Sequence, residues 1–212
     1  MKDPTEQFIR RAHNYWFTDG LTEIGFAVMG IVLSLYFYGQ ATLAPGSIFY
    51  RILDVGFLLI LLVSGVIIQK LVANFKARLT YPRTGYVSYR SPTTAQRAGA
   101  AILAILISIL IATLFSSSDN IDAYMPAASG ILLGAALAYI AYRNGLLRFY
   151  LLAAVSALLG TGLSLAGTGD MYGLSLYYGL MGLALLISGL LILRDYLLKT
   201  QPPEELQEGQ HG

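Results

Sequence analysis

Three acidic residues are the candidates for chemistry inside the apolar part of this 212-residue chain. Asp19 and Glu23 lie four residues apart, a spacing that places both carboxylates on one helical face, as a proton or cation site requires. Acids in a first helical turn also offset the positive end of the helix dipole, and the pattern favours this structural role. Asp54 follows Arg51 by one helical turn, so we expect the two to pair, with cation or proton binding by Asp54 as the alternative.

Other catalytic and metal-binding chemistries lack the residues they need. The chain contains no cysteine, and a metal triad of His13, Asp19 and Glu23 is disfavoured because a helix break is expected at Asp19 and Gly20. No phosphate-binding loop, zinc helix or nucleophile elbow is present in the sequence. The sequence therefore predicts no metal and no cofactor, and it favours a non-enzymatic protein. An enzyme would have to use Arg83 with Asp19 or Glu23 at the membrane surface.

Composition and hydropathy predict an all-α integral membrane protein. Hydrophobic residues make up 56% of the chain and charged residues only 12%. Apolar segments of the length that crosses a bilayer lie at about residues 21–38, 52–69, 98–115, 126–142, 146–166 and 172–193. We therefore predict a domain of six transmembrane helices over residues 21–199. Ionisable residues are absent from the segment centres, which disfavours ion-coupled transport and leaves transport of an apolar solute open.

The distribution of basic residues predicts the orientation of the six segments. All but Arg51 of the 14 lysines and arginines fall on one side when the segments alternate in direction. Because cytoplasmic loops retain positive charge, both termini are predicted to be cytoplasmic. Residues 1–20 are predicted to form an amphipathic interfacial helix, and residues 200–212 a disordered acidic tail.

A basic, tyrosine-rich cytoplasmic loop is predicted at residues 70–97. Residues 79–81 and 86–89 have strand character and flank a tight turn, so they are expected to pair as a hairpin. One interpretation is a lipid anchor that contacts anionic headgroups. The other is a binding site for a partner or ligand, with the candidates Arg78, Tyr81, Arg83, Gly85, Tyr86, Tyr89 and Arg90.

Small residues recur at helical spacing in the second half of the chain. Such stripes let membrane helices approach closely, either within one chain or in a homo-oligomer. The packing candidates are Gly130, Gly134, Ala138, Gly160, Gly179 and Gly182.

Two segments of the first half, "YWFTDGLTEIGFAVMG" at 15–30 and "YPRTGYVSYR" at 81–90, carry a family resemblance. With them the chain resembles a group of uncharacterised bacterial multi-pass integral membrane proteins. The resemblance implies a bacterial plasma membrane setting and brings no activity or site residues with it.

Two functional hypotheses follow from the sequence. The first is a non-enzymatic partner or scaffold subunit of a membrane complex, which binds through the loop at 70–97 and a small-residue helix face. The second is a small oligomeric permease or channel for an apolar or weakly polar solute. Membrane lipid, and in the first case a membrane protein, are the expected partners, and nucleic acid is not.

Overall fold

The computed structural model describes residue 17 and residues 19–80, 121–168 and 170–200 of the chain. The expected interfacial helix, most of the basic loop, the apolar segment at 98–115 and nearly all of the acidic tail lie outside the described residues. Among the candidate binding residues of the loop, Arg78 is described. The other six, from Tyr81 to Arg90, lie outside.

Regular structure in the described ranges is entirely helical, which confirms the predicted all-α class. Among the described residues, five helices are long and apolar enough to cross a membrane. They are α1 (Leu21–Thr42), α2 (Ile48–Phe75), α3 (Ile121–Asn144), α4 (Leu147–Leu165) and α5 (Asp170–Lys199), and α2 continues into a π-helical turn (Lys76–Thr80).

The second helix is longer than its apolar segment at 52–69 predicted, and this corrects the expected loop boundary. Lys70 lies within α2, while Lys76 and Arg78 belong to the π-helical turn. Residues 79 and 80, predicted as the start of a strand, also belong to that turn. Continued helical hydrogen bonding satisfies the backbone near lipid, and this outweighs the local strand preference of these residues. At about 1.5 Å per residue, α2 exceeds the roughly 30 Å hydrocarbon core, so its polar end extends beyond it.

Side-chain contacts place each helix end at one of two ends of the bundle. At one end, called the charged end below, the start of α1 meets the last part of α2 through Asp19 and Lys76. The start of α4 and the second half of α5 also contact α1 there. At the opposite end, the start of α3 meets the end of α4, where the Ala127 amide donates to Ser164. Helices α1 and α2, α1 and α5, and α3 and α4 are therefore antiparallel.

Helices α1 and α5 pack closely through small residues. A Cβ added to Gly30 would lie 3.1 Å from the Cα of Gly182, and one added to Gly179 would lie 2.9 Å from the Ser34 hydroxyl. The Ser34 hydroxyl donates to the carbonyl of Ser175 at 2.8 Å, and the Ser175 hydroxyl donates to the carbonyl of Ser34 at 2.9 Å. This reciprocal pair joins the two backbones where no water competes for the groups.

Helices α3 and α4 form a second close pair, to which α5 adds a tyrosine. A Cβ on Gly130 would lie 2.6 Å from the carbonyl oxygen of Ser156, and one on Gly134 would lie 3.0 Å from that of Ala153. The Ser156 hydroxyl lies 2.9 Å from the Gly130 carbonyl and 2.7 Å from the buried Tyr177 hydroxyl. Ala138, also on α3, packs against the buried core. These contacts tie α5 to the α3–α4 hairpin.

The glycines of α4 provide a matched test of this packing. A Cβ on Gly160 would lie 2.4 Å from the carbonyl oxygen of Pro126, whereas one on Gly162 meets nothing within 4 Å. We expect Gly160→Ala to lower the melting temperature in detergent because the backbones of α3 and α4 must separate. Gly162→Ala should leave it unchanged or raise it slightly, since alanine favours helix by about 1 kcal/mol over glycine. Equal melting temperatures for the two variants would show that the close approach is not required.

Candidate functional site

The first ion pair at the charged end joins the start of α1 to the π-helical turn. The Lys76 ammonium lies 3.0 Å and 3.2 Å from the two carboxylate oxygens of Asp19, and both side chains are almost fully buried. Asp19 also accepts the Leu21 amide at 3.2 Å, which satisfies one of the free amides at the helix start. Gly20 makes this geometry possible, because it has a φ of 73° and a Cβ there would lie 2.3 Å from the carbonyl oxygen of Gly189.

The second ion pair joins α1 to α4 and α5. Arg148 Nε lies 2.8 Å from Glu23 Oε1, and the Ser188 hydroxyl donates to Glu23 Oε2 at 2.6 Å. Arg148 also donates to the carbonyl of Phe17, and its guanidinium lies 5.3 Å from the centre of the Phe149 ring. Arg148 Nε and Glu23 Oε1 are each other's partner in this ion pair, which joins two opposite charges away from water.

A short turn places Arg148 beside Glu23. The Gly145 and Leu146 amides both donate to the carbonyl of Ala141, which ends α3 with a left-handed glycine at φ 68°. Helix α4 then begins at Leu147, so Arg148 lies in its first turn.

Asp19, Glu23, Lys76, Arg148 and Ser188 together are called the charge cluster. Its two carboxylates and two cations balance, which is the condition for keeping charges away from water. These residues lie far apart in the sequence. They connect α1, the π-helical turn, α4 and α5 at the charged end of the bundle. The arrangement can act as a closure of that end or as the polar part of a binding site.

An apolar cavity of about 190 Å³ lies between α1, α3 and α5. Its wall is formed by aliphatic and aromatic side chains, with a methionine from α1 and another from α5, Met29 and Met181. The hydroxyl-bearing residue of the wall is Tyr178. Methionine side chains adapt to ligands of different shape, so the cavity suits apolar groups without a fixed outline.

The cavity reaches to within one helical turn of the charged end on all three helices. In each case a lining residue is three or four positions from a polar one: Phe26 from Glu23 on α1, Ile140 from Asn144 on α3, and Leu185 from Ser188 on α5. One turn of an α-helix rises about 5.4 Å. The cavity and the charged end are therefore adjacent along the bundle axis.

The structure treats the three acidic candidates differently. Asp19 and Glu23 come together with cations, while Asp54 is exposed and forms no ion pair with the equally exposed Arg51. The expected Asp54–Arg51 pair is thus wrong, because one-turn spacing allows a contact but exposed side chains gain little from it. Arg78, from the candidate binding loop, is exposed on the π-helical turn.

Sequence reasoning missed the basic members of the charge cluster. It counted Lys76 and Arg148 only as topology signals, although Arg148 carried a further signal. A cation in the first turn of a helix opposes the helix dipole, so its presence indicates a compensating acid nearby. Within the described ranges, no group of three histidine, cysteine or acidic residues lies close enough to hold a metal ion.

Comparison with known proteins gives no match: no family model, no curated protein and no solved structure matches the chain. The resemblance to bacterial multi-pass membrane proteins therefore stays a prediction.

The Asp19–Lys76 pair can be tested against an exposed pair of the same type. Lys76→Met removes the cation and leaves a buried carboxylate, so we expect a loss of about 3 to 5 kcal/mol in the free energy of unfolding. The double variant Asp19→Asn, Lys76→Met should recover most of it, because asparagine keeps the acceptor for the Leu21 amide without the charge. Thermal or chemical unfolding in detergent measures both.

Lys199→Met is the control, since it breaks the 2.7 Å pair between Lys199 and Asp195, whose side chains are exposed. It should have an effect below about 1 kcal/mol. If Lys76→Met were as mild as Lys199→Met, the buried pair would not hold the charged end together.

Proposed function

We propose that the protein is a small permease that binds an apolar or weakly polar solute in the cavity between α1, α3 and α5. The observation that carries the proposal is the position of an apolar cavity within a membrane bundle, next to a closed, charge-paired end. Transport sites in membrane bundles commonly lie near the bilayer midplane between helices. Of the two hypotheses from the sequence, this geometry favours the permease.

The chemistry of the cavity supports a small, uncharged solute. Its volume of about 190 Å³ is below the roughly 300 to 1,000 Å³ of sites for drug-sized ligands. It is slightly larger than the engineered apolar cavity of about 150 Å³ that holds benzene in another protein. Among the described residues, no acidic or basic side chain lines it, so a charged solute would lose its hydration without compensation.

We further propose that the chain crosses the bacterial plasma membrane six times, with both termini in the cytoplasm. Helix α2 leads to the charged end, where Lys76 contacts Asp19, whereas α3 begins at the opposite end, beside the end of α4. In the proposed topology, residues 81–120 connect these two ends and include one crossing. The apolar segment at 98–115 is long enough for that crossing, and the arginines and lysines favour a cytoplasmic charged end.

The charge cluster would close the cytoplasmic side in this scheme. The ion pairs hold the start of α1 against the π-helical turn and against α4, one turn from the cavity. Passage of solute to the cytoplasm requires these contacts to separate or shift. Because the cluster is neutral as a whole, its members can re-pair after such a movement without leaving a net charge in lipid.

A solute flux assay tests the permease. Proteoliposomes facing a gradient of 1,2-alkanediols, weakly polar solutes of graded size, should re-swell faster than protein-free liposomes in stopped-flow light scattering. Leu137→Trp, which fills the cavity from α3, should reduce the protein-dependent rate at least severalfold. Leu151→Trp makes the same change at a side chain that is 63% exposed on α4, and it should behave as wild type.

A re-swelling rate equal to that of protein-free liposomes for every diol would contradict the permease. The partner or scaffold hypothesis would then be favoured, and one observation already supports it. None of the 28 residues of α2 is buried, so a long apolar surface of this helix is open to lipid or to another membrane protein. Co-purification of a stoichiometric partner or of a homo-oligomer, lost in Arg83→Lys, is the result expected of a scaffold that uses the basic loop.

The topology can be tested directly because the chain has no cysteine. With six crossings, Ser88→Cys should be protected from an impermeant thiol reagent in intact cells, whereas Ser118→Cys should react. The two positions flank the apolar segment at 98–115, and its crossing separates them. Reaction of both, or of neither, before the cells are opened would show that the segment does not cross.

A further inference from the structure

In the part of the chain that the structure describes, helix α2 packs on one side, against α1. A Cβ on Gly25 of α1 would lie 2.9 Å from a methyl group of Val72, and one on Gly39 would lie 2.9 Å from a methyl group of Leu53. In each of the other four helices, 22% to 28% of the most apolar stretch is buried, whereas none of that stretch of α2 is buried. The side of α2 that faces away from α1 is therefore open to a further neighbour.

This open side carries a continuous row of exposed aliphatic residues. The row, called the α2 stripe below, consists of Ile52, Val55, Leu59, Leu62 and Val66, each between 52% and 85% exposed. The spacing alternates between three and four positions, as in the seam that one helix presents to another. Lipid tails are as apolar as these side chains, so the row by itself does not identify what covers it.

The connection between α2 and α3 limits which helix can reach the α2 stripe. In the proposed topology, residues 81–120 cross the membrane once, through the apolar segment at 98–115. The chain leaves α2 at the charged end, and five residues, 116–120, separate the end of this segment from the start of α3. Five extended residues span at most roughly 20 Å. The segment is therefore held beside its own bundle, and it follows α2 directly among the apolar segments, where consecutive elements are usually neighbours.

The segment also has the residue pattern that complements the α2 stripe. Small residues recur at every fourth position: Ala100, Ala104, Ser108, Ala112 and Ser116. In a helix this spacing places them roughly along one face, and small residues allow membrane helices to approach closely. Glycines of α1 receive large side chains of α2 on its other side. Packing of the α2 stripe against these five positions would repeat that arrangement.

Charge at the end of the bundle opposite the charge cluster agrees with this pairing. Arg51 is exposed on α2, one turn before Val55, and forms no ion pair with a described residue. Asp119 follows the apolar segment and belongs to the same end in the proposed topology. An antiparallel segment on the α2 stripe would bring these opposite charges to the same level of the bundle.

We propose that the segment at 98–115 packs antiparallel against the α2 stripe of the same chain, with its small residues toward α2. The proposal rests on the proposed crossing of this segment. It goes beyond the permease, whose cavity lies between α1, α3 and α5. It assigns the open side of α2 to a contact within the chain rather than to lipid, a second copy or another protein.

Disulfide cross-linking in native membranes tests the contact, because the chain has no cysteine of its own. Ser108→Cys, near the middle of the segment, is combined with Leu59→Cys or Leu62→Cys, near the middle of α2. A disulfide requires Cα atoms within about 7 Å, so oxidation by copper phenanthroline should link at least one of these pairs within one chain. Trypsin cleaves between the paired positions, after Lys70 and Arg97, so mass spectrometry identifies the linked peptides. Coexpressed copies with two different tags distinguish a link within one chain from a link between two.

Two further pairs are controls. Ser108→Cys with Ser64→Cys uses the side of α2 that faces α1, where the Ser64 hydroxyl lies 3.6 Å from the sulfur of Met29. Ser108→Cys with Leu158→Cys uses a residue that is 71% exposed near the middle of α4. Both pairs should form severalfold less disulfide than the better pair on the α2 stripe.

Three results would overturn the contact. They are a link between two chains in place of one within the chain, a stronger link to Leu158→Cys than to α2, and no link to a cysteine at any position of the α2 stripe. The thiol-labelling test with Ser88→Cys and Ser118→Cys then separates the two proposals. If the segment crosses the membrane but does not link to α2, this inference falls and the topology stands, whereas a segment that does not cross overturns both. The permease is tested independently by the flux assay.

Discussion

The neutralisation of buried charge at one end of the bundle is the constraint on which the rest of the structure depends. Asp19 and Glu23 at the start of α1 are buried, and each can remain ionised there only beside a cation. Lys76 and Arg148 supply those cations from the π-helical turn and from α4. Meeting this requirement sets where α1 and α4 begin and how far the helical structure of α2 must continue.

Close backbone packing then decides where the cavity remains. The glycines of α1 approach α5 and α2, and those of α3 approach α4, in several places to distances that exclude a Cβ. No described glycine of α1 approaches α3, and the cavity lies between these two helices with α5 as the third wall. Small residues thus allow close packing of α1 with α5 and of α3 with α4. Larger apolar side chains leave a space where these two pairs meet.

The cavity and the charge cluster are adjacent along the bundle axis, and the proposed function depends on this adjacency. An apolar space in a membrane bundle can hold an apolar body, but it offers no group that fixes orientation. The ion pairs of the charge cluster lie about one turn away and hold the helices together at the same end. Helix α1 contributes to both the cavity and the charge cluster, so the proposed permease would couple solute binding to opening through this helix.

The sequence by itself determined the membrane class, the all-α structure and the centres of five helices. These depend on apolar length and composition, which act within one segment at a time. It also marked the small residues as packing positions, since they follow from helical spacing. The shared helical face expected for Asp19 and Glu23 is not formed, because α1 begins at Leu21 and Asp19 precedes the left-handed Gly20. The predicted ends of α2 were wrong, because polar residues can continue a helix beyond the hydrocarbon core.

Only the tertiary structure decided which cation meets which acid. Lys76 is 57 residues from Asp19, and Arg148 is still farther from Glu23, so no local pattern relates them. The same holds for Asp54, which helical spacing paired with Arg51 but which the fold leaves exposed. The cavity is likewise a product of helix arrangement. Such features form only where segments distant in the sequence come into contact. The energies of those contacts depend on both partners, so the pattern of one segment does not reveal them.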